Sequence, residues 1–177
     1  MYSLPEVASL LQTNIEINWV GNVTRALNKA AADKPGTLRL RRHRGYSANT
    51  TIAGIETTME GANLEIFEVE AIPVDSLLPQ LDGHVDFLKV DVEGAEPLVF
   101  RGAQETIERN PHIAILMEWS PNQLRAAGFD PAGFVDELSA LSLMPATLLP
   151  NGKTKPFSWS DVAAMSYGDI VLRQFCA

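Results

Sequence analysis

Three acids stand where chemistry could be done: Asp91, Glu93 and Glu118, in a chain of 177 residues. The run 85–90 has the length and apolar content of a β-strand and stops at Asp91-Val92-Glu93-Gly94, after which a helical pattern starts near Ala95. The nearly all-apolar run 112–117 stops in the same way at Glu118. In an open α/β sheet the carboxyl ends of the strands and the following helix starts form the ligand crevice. Two strands joined by one helical crossover are expected to be parallel neighbours, about 5 Å apart. Asp91, Glu93 and Glu118 should therefore meet on one rim. Carboxylates gathered in this way share a proton, hold a cation or orient a polar hydroxyl, and one of them can serve as a general base. The same residue types also meet a structural need, because a turn followed by a helix start favours acid and glycine.

The elements that must carry these acids follow from periodicity. A helix is expected over 5–19, with Val7, Leu10, Leu11 and Ile15 on one face. A strand is expected over 23–31, a turn at Asp33-Lys34-Pro35-Gly36 and a strand over 37–42. Arg39, Arg41, Arg42, His43 and Arg44 read as a solvated edge strand and its turn rather than a phosphate cradle. The small, polar stretch 45–63 reads as an irregular loop, 64–74 as a strand, and 75–79 as a helical turn capped by Asp75. Helical segments follow over 96–100 and 103–109. Beyond Glu118, Ser120-Pro121 and Asp130-Pro131 are helix starts, and Phe134, Val135, Leu138 and Leu141 form a core-facing stripe. Strands over 143–149 and 169–173 close the pattern, with a turn at Asn151-Gly152 and an irregular Phe157-Ser158-Trp159 loop.

Composition limits the partners. The net charge is −8, with 46% hydrophobic and 20% charged residues, enough for one sizeable core and hence one domain over 1–177. An acidic chain is repelled by nucleic acid and by anionic membranes, so neither is expected as a partner. No apolar run approaches the length of a membrane span, and the start of the chain lacks a secretory pattern. With one cysteine, Cys176, no internal disulfide can form, and a soluble, cytoplasmic protein is the expectation. His43, His84 and His112 are not spaced as metal ligands, so no metal site is expected. His112 reads as a structural residue opening a buried strand, and His84 as an exposed turn residue.

Phe87-Leu88-Lys89-Val90-Asp91-Val92-Glu93-Gly94-Ala95-Glu96, then Val99-Phe100-Arg101-Gly102-Ala103, a proline before a buried strand and Glu118 at its end, resemble the FkbM-type methyltransferases. Upstream, Leu10-Leu11, Asn14, Asn18, Asn28-Lys29-Ala30-Ala31 and Gly36 extend the likeness. What the resemblance implies is an α/β, Rossmann-like class I methyltransferase sheet, mostly parallel, with order 3-2-1-4-5-7-6. It also implies S-adenosyl-L-methionine as cofactor and a small-molecule acceptor, a sugar or secondary metabolite, methylated on a hydroxyl. Carried across, Asp91 and Glu93 lie beside the transferring methyl group and Glu118 at the neighbouring strand end, as catalytic residues. Asn28, Ala30, Ala31 and Asp91 fall on the cofactor side. Ser47 and Asn49 match a small polar segment.

No two glycines in the sequence are separated by a single residue, so the family's glycine-bearing cofactor loop has no counterpart. The expected sheet therefore lacks its first two strands, as in an N-terminally shortened chain. Strand 23–30 should then dock directly on 85–90 or leave a gap filled by another chain, and cofactor binding should be weak. Two other readings compete. One is a metal-dependent nucleotide-sugar transferase, because Asp91-Val92-Glu93 resembles a D-x-D site. The other is a non-catalytic remnant acting by association, a homo-oligomer built through an exposed sheet edge.

Overall fold

The computed structural model describes residues 5–43, 51–52 and 64–174. Helix α1 (Pro5–Ile17) leads to β1 (Ala30–Ala31), β2 (Gly36–His43), β3 (Thr51–Ile52) and β4 (Leu64–Ile72). After a 3-10 turn (Val74–Gln80) come β5 (Phe87–Val90), α2 (Glu96–Arg101), α3 (Gln104–Arg109) and β6 (Ala114–Trp119). The rest is α4 (Pro121–Ala126), α5 (Pro131–Ala140), β7 (Leu143–Leu148), β8 (Thr154–Pro156), α6 (Trp159–Ala164) and β9 (Gly168–Gln174).

These strands form two sheets, of order β1-β4-β2-β3 and β5-β6-β9-β7-β8. β5 and β6 pair in parallel, with Val90 opposite Met117, as the crossover argument requires. Mostly parallel, however, is a correction to make: β1 with β4 is the other parallel pair, and the remaining pairings are antiparallel. In the larger sheet the cause is β9, which inserts antiparallel between β6 and β7. Its buried Ile170, Val171 and Leu172 form a continuous apolar run, which carries no sign of strand direction.

The helices supply their apolar residues to one face of this sheet. Val99, Phe100, Ile107, Leu124, Phe134, Leu138 and Val162 share a buried cluster with Val90, Ile115, Met117, Trp119, Ile170 and Leu172. Phe134 anchors it, edge-on to Phe100 and stacked on Trp119 with ring centroids 5.7 and 6.3 Å away. On the opposite face the side chains are more open. Phe87 is 57% exposed and Met144 49%.

The turn after the small sheet is held through Asp75 to the helices that cover the large one. Asp75 does not cap its own turn, as the sequence suggested. Its carboxylate accepts hydrogen bonds from the Glu105 and Thr106 backbone amides and from Thr106 Oγ1, capping α3 from outside. The Asp75 amide in turn donates to the Gly102 carbonyl at 2.9 Å. At Gly102 the two layers touch: a Cβ there would lie 2.0 Å from the Ala32 carbonyl oxygen.

Several local expectations change. α1 ends at Ile17 because the chain turns through Trp19 at φ 58°. Residues 23–29 are not a strand: Val23 belongs to a turn closed on Val20, leaving two residues of β1. β2 is not an edge strand, since it lies between β4 and β3. β1 does not dock on β5, because its partner is β4 in the other sheet, and β5 is an outermost strand. His112 precedes β6 and is exposed rather than opening a buried strand. Around Phe157, β8 and the six-residue α6 replace the expected loop, with Ser158 and Asp161 forming a capping box. Ser47, Asn49 and Cys176 lie outside the described residues.

Candidate active site

The strand-to-helix junction is built around an unusual backbone. After Val90, residues 91–92 leave the sheet and the chain turns through Glu93 at φ 55° and Gly94 at φ 97°. A non-glycine residue in that region is uncommon and strained, so the surroundings must hold it there. α4 supplies the restraint. The Gln123 side-chain amide donates to Glu93 Oε2, and the Gln123 carbonyl oxygen lies 2.4 Å from where a Gly94 Cβ would stand.

The three acids come together at this end of the sheet, each tethered by a different element. Asp91 Oδ2 accepts from Lys89 Nζ at 2.5 Å, Glu93 from Gln123, and Glu118 Oε1 from the Tyr167 hydroxyl at 2.5 Å. Glu118 lies inside β6 rather than after it, directly across from Asp169 on β9. Like charges in facing positions oppose pairing, so the sheet carries a local electrostatic cost at this rim.

The titration of the site follows from this crowding. Desolvation raises the Glu93 carboxyl above the ordinary range, and the charges of Glu118 and Asp91 push the same way, against the Gln123 hydrogen bond. The Tyr167 hydroxyl is pushed up to about 12, chiefly by its hydrogen bond to Glu118 and then by that carboxylate's charge. Tyr167 stays a phenol and a donor at neutral pH.

Beneath the rim, Glu96 is 3% exposed, and its Oε1 accepts the Val92 and Gly94 amides at 3.3 Å each. Burial raises its pKa, with the backbone donors pulling it back down. An acid whose folded pKa lies above its unfolded value binds more protons when folded. Its penalty is absent below the unfolded value and grows as pH rises toward the raised folded one. Acidifying from neutral pH into the carboxylate range should therefore stabilise the chain through Glu96 and Glu93. Urea midpoints across this range should show that slope, and Glu96→Gln should flatten it. An unchanged slope in the variant would show that Glu96 titrates normally.

Gln123, Tyr167 and Asp169 were not found from the sequence. Tyr167 is 49 residues from Glu118 and Gln123 is 30 from Glu93, and no spacing rule links them. Asn28, Ala30 and Ala31 lie elsewhere. Asn28 is exposed, Ala30 and Ala31 pair with Ala71 and Ile72, and no hydrogen bond or ion pair joins these residues to the acids. Among the described residues no group of three or more His, Cys, Asp or Glu could hold a metal ion. No described helix is long and apolar enough to cross a membrane.

The methyltransferase FkbM domain matches residues 5–142, the span that carries the acid rim and its α4 tether. The chain belongs to the FkbM methyltransferase family. No curated protein and no solved structure matches it. The glycines most closely approached, Gly94 and Gly102, are filled by the chain's own Gln123 and Ala32 carbonyls and leave no cradle for a ligand.

Proposed function

We propose that this FkbM domain is a cytoplasmic methyltransferase acting on a hydroxyl of a small acceptor, with S-adenosylmethionine as the family's methyl donor. The observation that carries the reading is that the charges of Asp91 and Glu118 both bear on Glu93 at the carboxyl ends of β5 and β6, where an acceptor hydroxyl would lie. Glu93 is the base that takes the hydroxyl proton, because burial and the charges of Glu118 and Asp91 raise its pKa and make it the stronger proton acceptor. Glu118 turns one oxygen to Tyr167 and keeps the other to orient the acceptor. Asp91, neutralised by Lys89, fixes the edge of the rim. The order β5-β6-β9-β7, with β9 reversed, supports a Rossmann-like class I sheet, since it corresponds to the 4-5-7-6 half of that order.

The test is transfer of labelled methyl from S-adenosylmethionine at millimolar concentration to a panel of sugars and hydroxylated metabolites. Labelled product that vanishes with Glu93→Gln supports the reading, and no product with any acceptor counts against it. Without a glycine cradle, calorimetry should find cofactor affinity weaker than micromolar, and a micromolar constant would overturn that expectation.

The position of β5 favours a second reading, association of copies. It is an outermost strand of its sheet, and an outer strand offers unpaired backbone groups to another chain. A strict monomer by size-exclusion chromatography would remove that reading.

A further inference from the structure

A cavity lies at the carboxyl end of β6. It is an open cleft of about 340 Å³, the lower end of small-ligand sites, between the start of α4, the start of α5 and the segment joining α6 to β9. Its apolar walls include Trp119, Pro121, Pro131 and Met165, and its polar groups are Asn122, Arg125, Asp130 and Ser166. The Trp119 indole donates to the Met165 carbonyl at 3.3 Å and ties β6 to the α6–β9 segment.

Charge decides what such a cavity takes. Asp130 is already used: its carboxylate accepts the Ala132 and Gly133 amides and caps α5. Arg125 is not. Its contact is a 3.5 Å approach to Asn122 on its own helix, and among the described residues no carboxylate lies within ion-pair distance of it. In a chain of net charge −8, the cavity therefore presents one available guanidinium beside walls that are polar and apolar in equal measure. A guanidinium binds a carboxylate through two parallel hydrogen bonds.

We infer that this cavity binds a small organic carboxylate through Arg125, and that it anchors the methyl acceptor by its anionic end. The rim favours that orientation. Asp91, Glu93, Glu118 and Asp169 repel a carboxylate and accept a neutral hydroxyl, whereas Arg125 does the opposite. Two elements serve both places. α4 carries Gln123 to Glu93 and Asn122 and Arg125 to the cavity, while Ser166 lines the cavity next to Tyr167, which holds Glu118. The anchoring role rests on the methyl-transfer reading; the binding of the carboxylate does not.

The experiment is titration of the chain with 4-hydroxybenzoate and with its neutral counterpart 4-hydroxybenzamide, followed by the backbone amide shifts of Ala132, Ala163 and Ser166. The carboxylate should bind at least tenfold more tightly, a difference of about 1.4 kcal/mol, and Arg125→Met should abolish that preference. Arg125 is exposed, so its replacement should leave folding intact. Equal binding of the two probes, shifts confined to other amides, or an Arg125→Met variant that keeps the preference would overturn the inference. The measurement needs neither cofactor nor turnover. Tight carboxylate binding without methyl transfer to any acceptor would keep the cavity and remove the reading it serves. Methyl transfer without carboxylate binding would do the reverse.

Discussion

Gly94→Ala should destabilise the chain by about 2–6 kcal/mol and lower its melting temperature by roughly 5–20 °C. Two costs combine. A side chain at φ 97° is strained wherever it stands, and its Cβ would sit 2.4 Å from the Gln123 carbonyl oxygen, on backbone that cannot rotate away. α4 would have to retreat, and the Gln123 tether to Glu93 would go with it. Gly102→Ala separates the two causes. Its φ of −89° suits any residue, so its cost, about 1–3 kcal/mol, comes from overlap with the backbone at Ala32 and Pro73 alone. Thermal melts of both variants give the comparison. A Gly94→Ala protein that melts with the wild type would mean that the junction is not pressed against α4.

Glu93→Gln should lower methyl transfer by about 10²–10⁴-fold, the usual contribution of a positioned general base. A base must be unprotonated to act, so the wild-type rate should rise with pH through the raised pKa of Glu93 and then level off. That rising limb should lie above the ordinary carboxylate range and be missing from the variant. Stability should hold, because glutamine is nearly isosteric and removes a charge repelled by Glu118 and Asp91. Asp91→Asn should cost less, since Lys89 already offsets that charge. Full turnover in Glu93→Gln, or an acidic limb that persists in it, would take the base role from Glu93.

What could be read ahead of the structure was local. The apolar run before Asp91 and the glycine after Glu93 identify a strand, its end and a tight exit, because each rests on the conformational preferences of neighbouring residues. The β5–β6 pairing followed from connectivity alone. What stayed hidden depends on distant parts of the chain. Tyr167 looks like any exposed aromatic until β9 brings it to Glu118, and Gln123 like any helical amide until α4 meets the Glu93 turn. The alternating arginines of β2 suggested an outer strand, yet β3 covers part of it at Leu40 and Arg41. Direction was lost for the same reason: Ile170, Val171 and Leu172 are as apolar as a parallel strand, and their reversal follows from which neighbours they join. α6, at six residues, is too short for its period to stand out.

The place of β9 bears on how the molecule is made. Ribosomes deliver β6, β7 and β8 before it, yet it fills the gap between the first two. Until it arrives, the facing edges of β6 and β7 have no partner, and the nascent chain must keep them apart and out of contact with other polypeptides. Closure is thus a late, long-range event of the kind that slows folding. It also brings in Tyr167, so the rim gains its last tether only when the sheet is sealed.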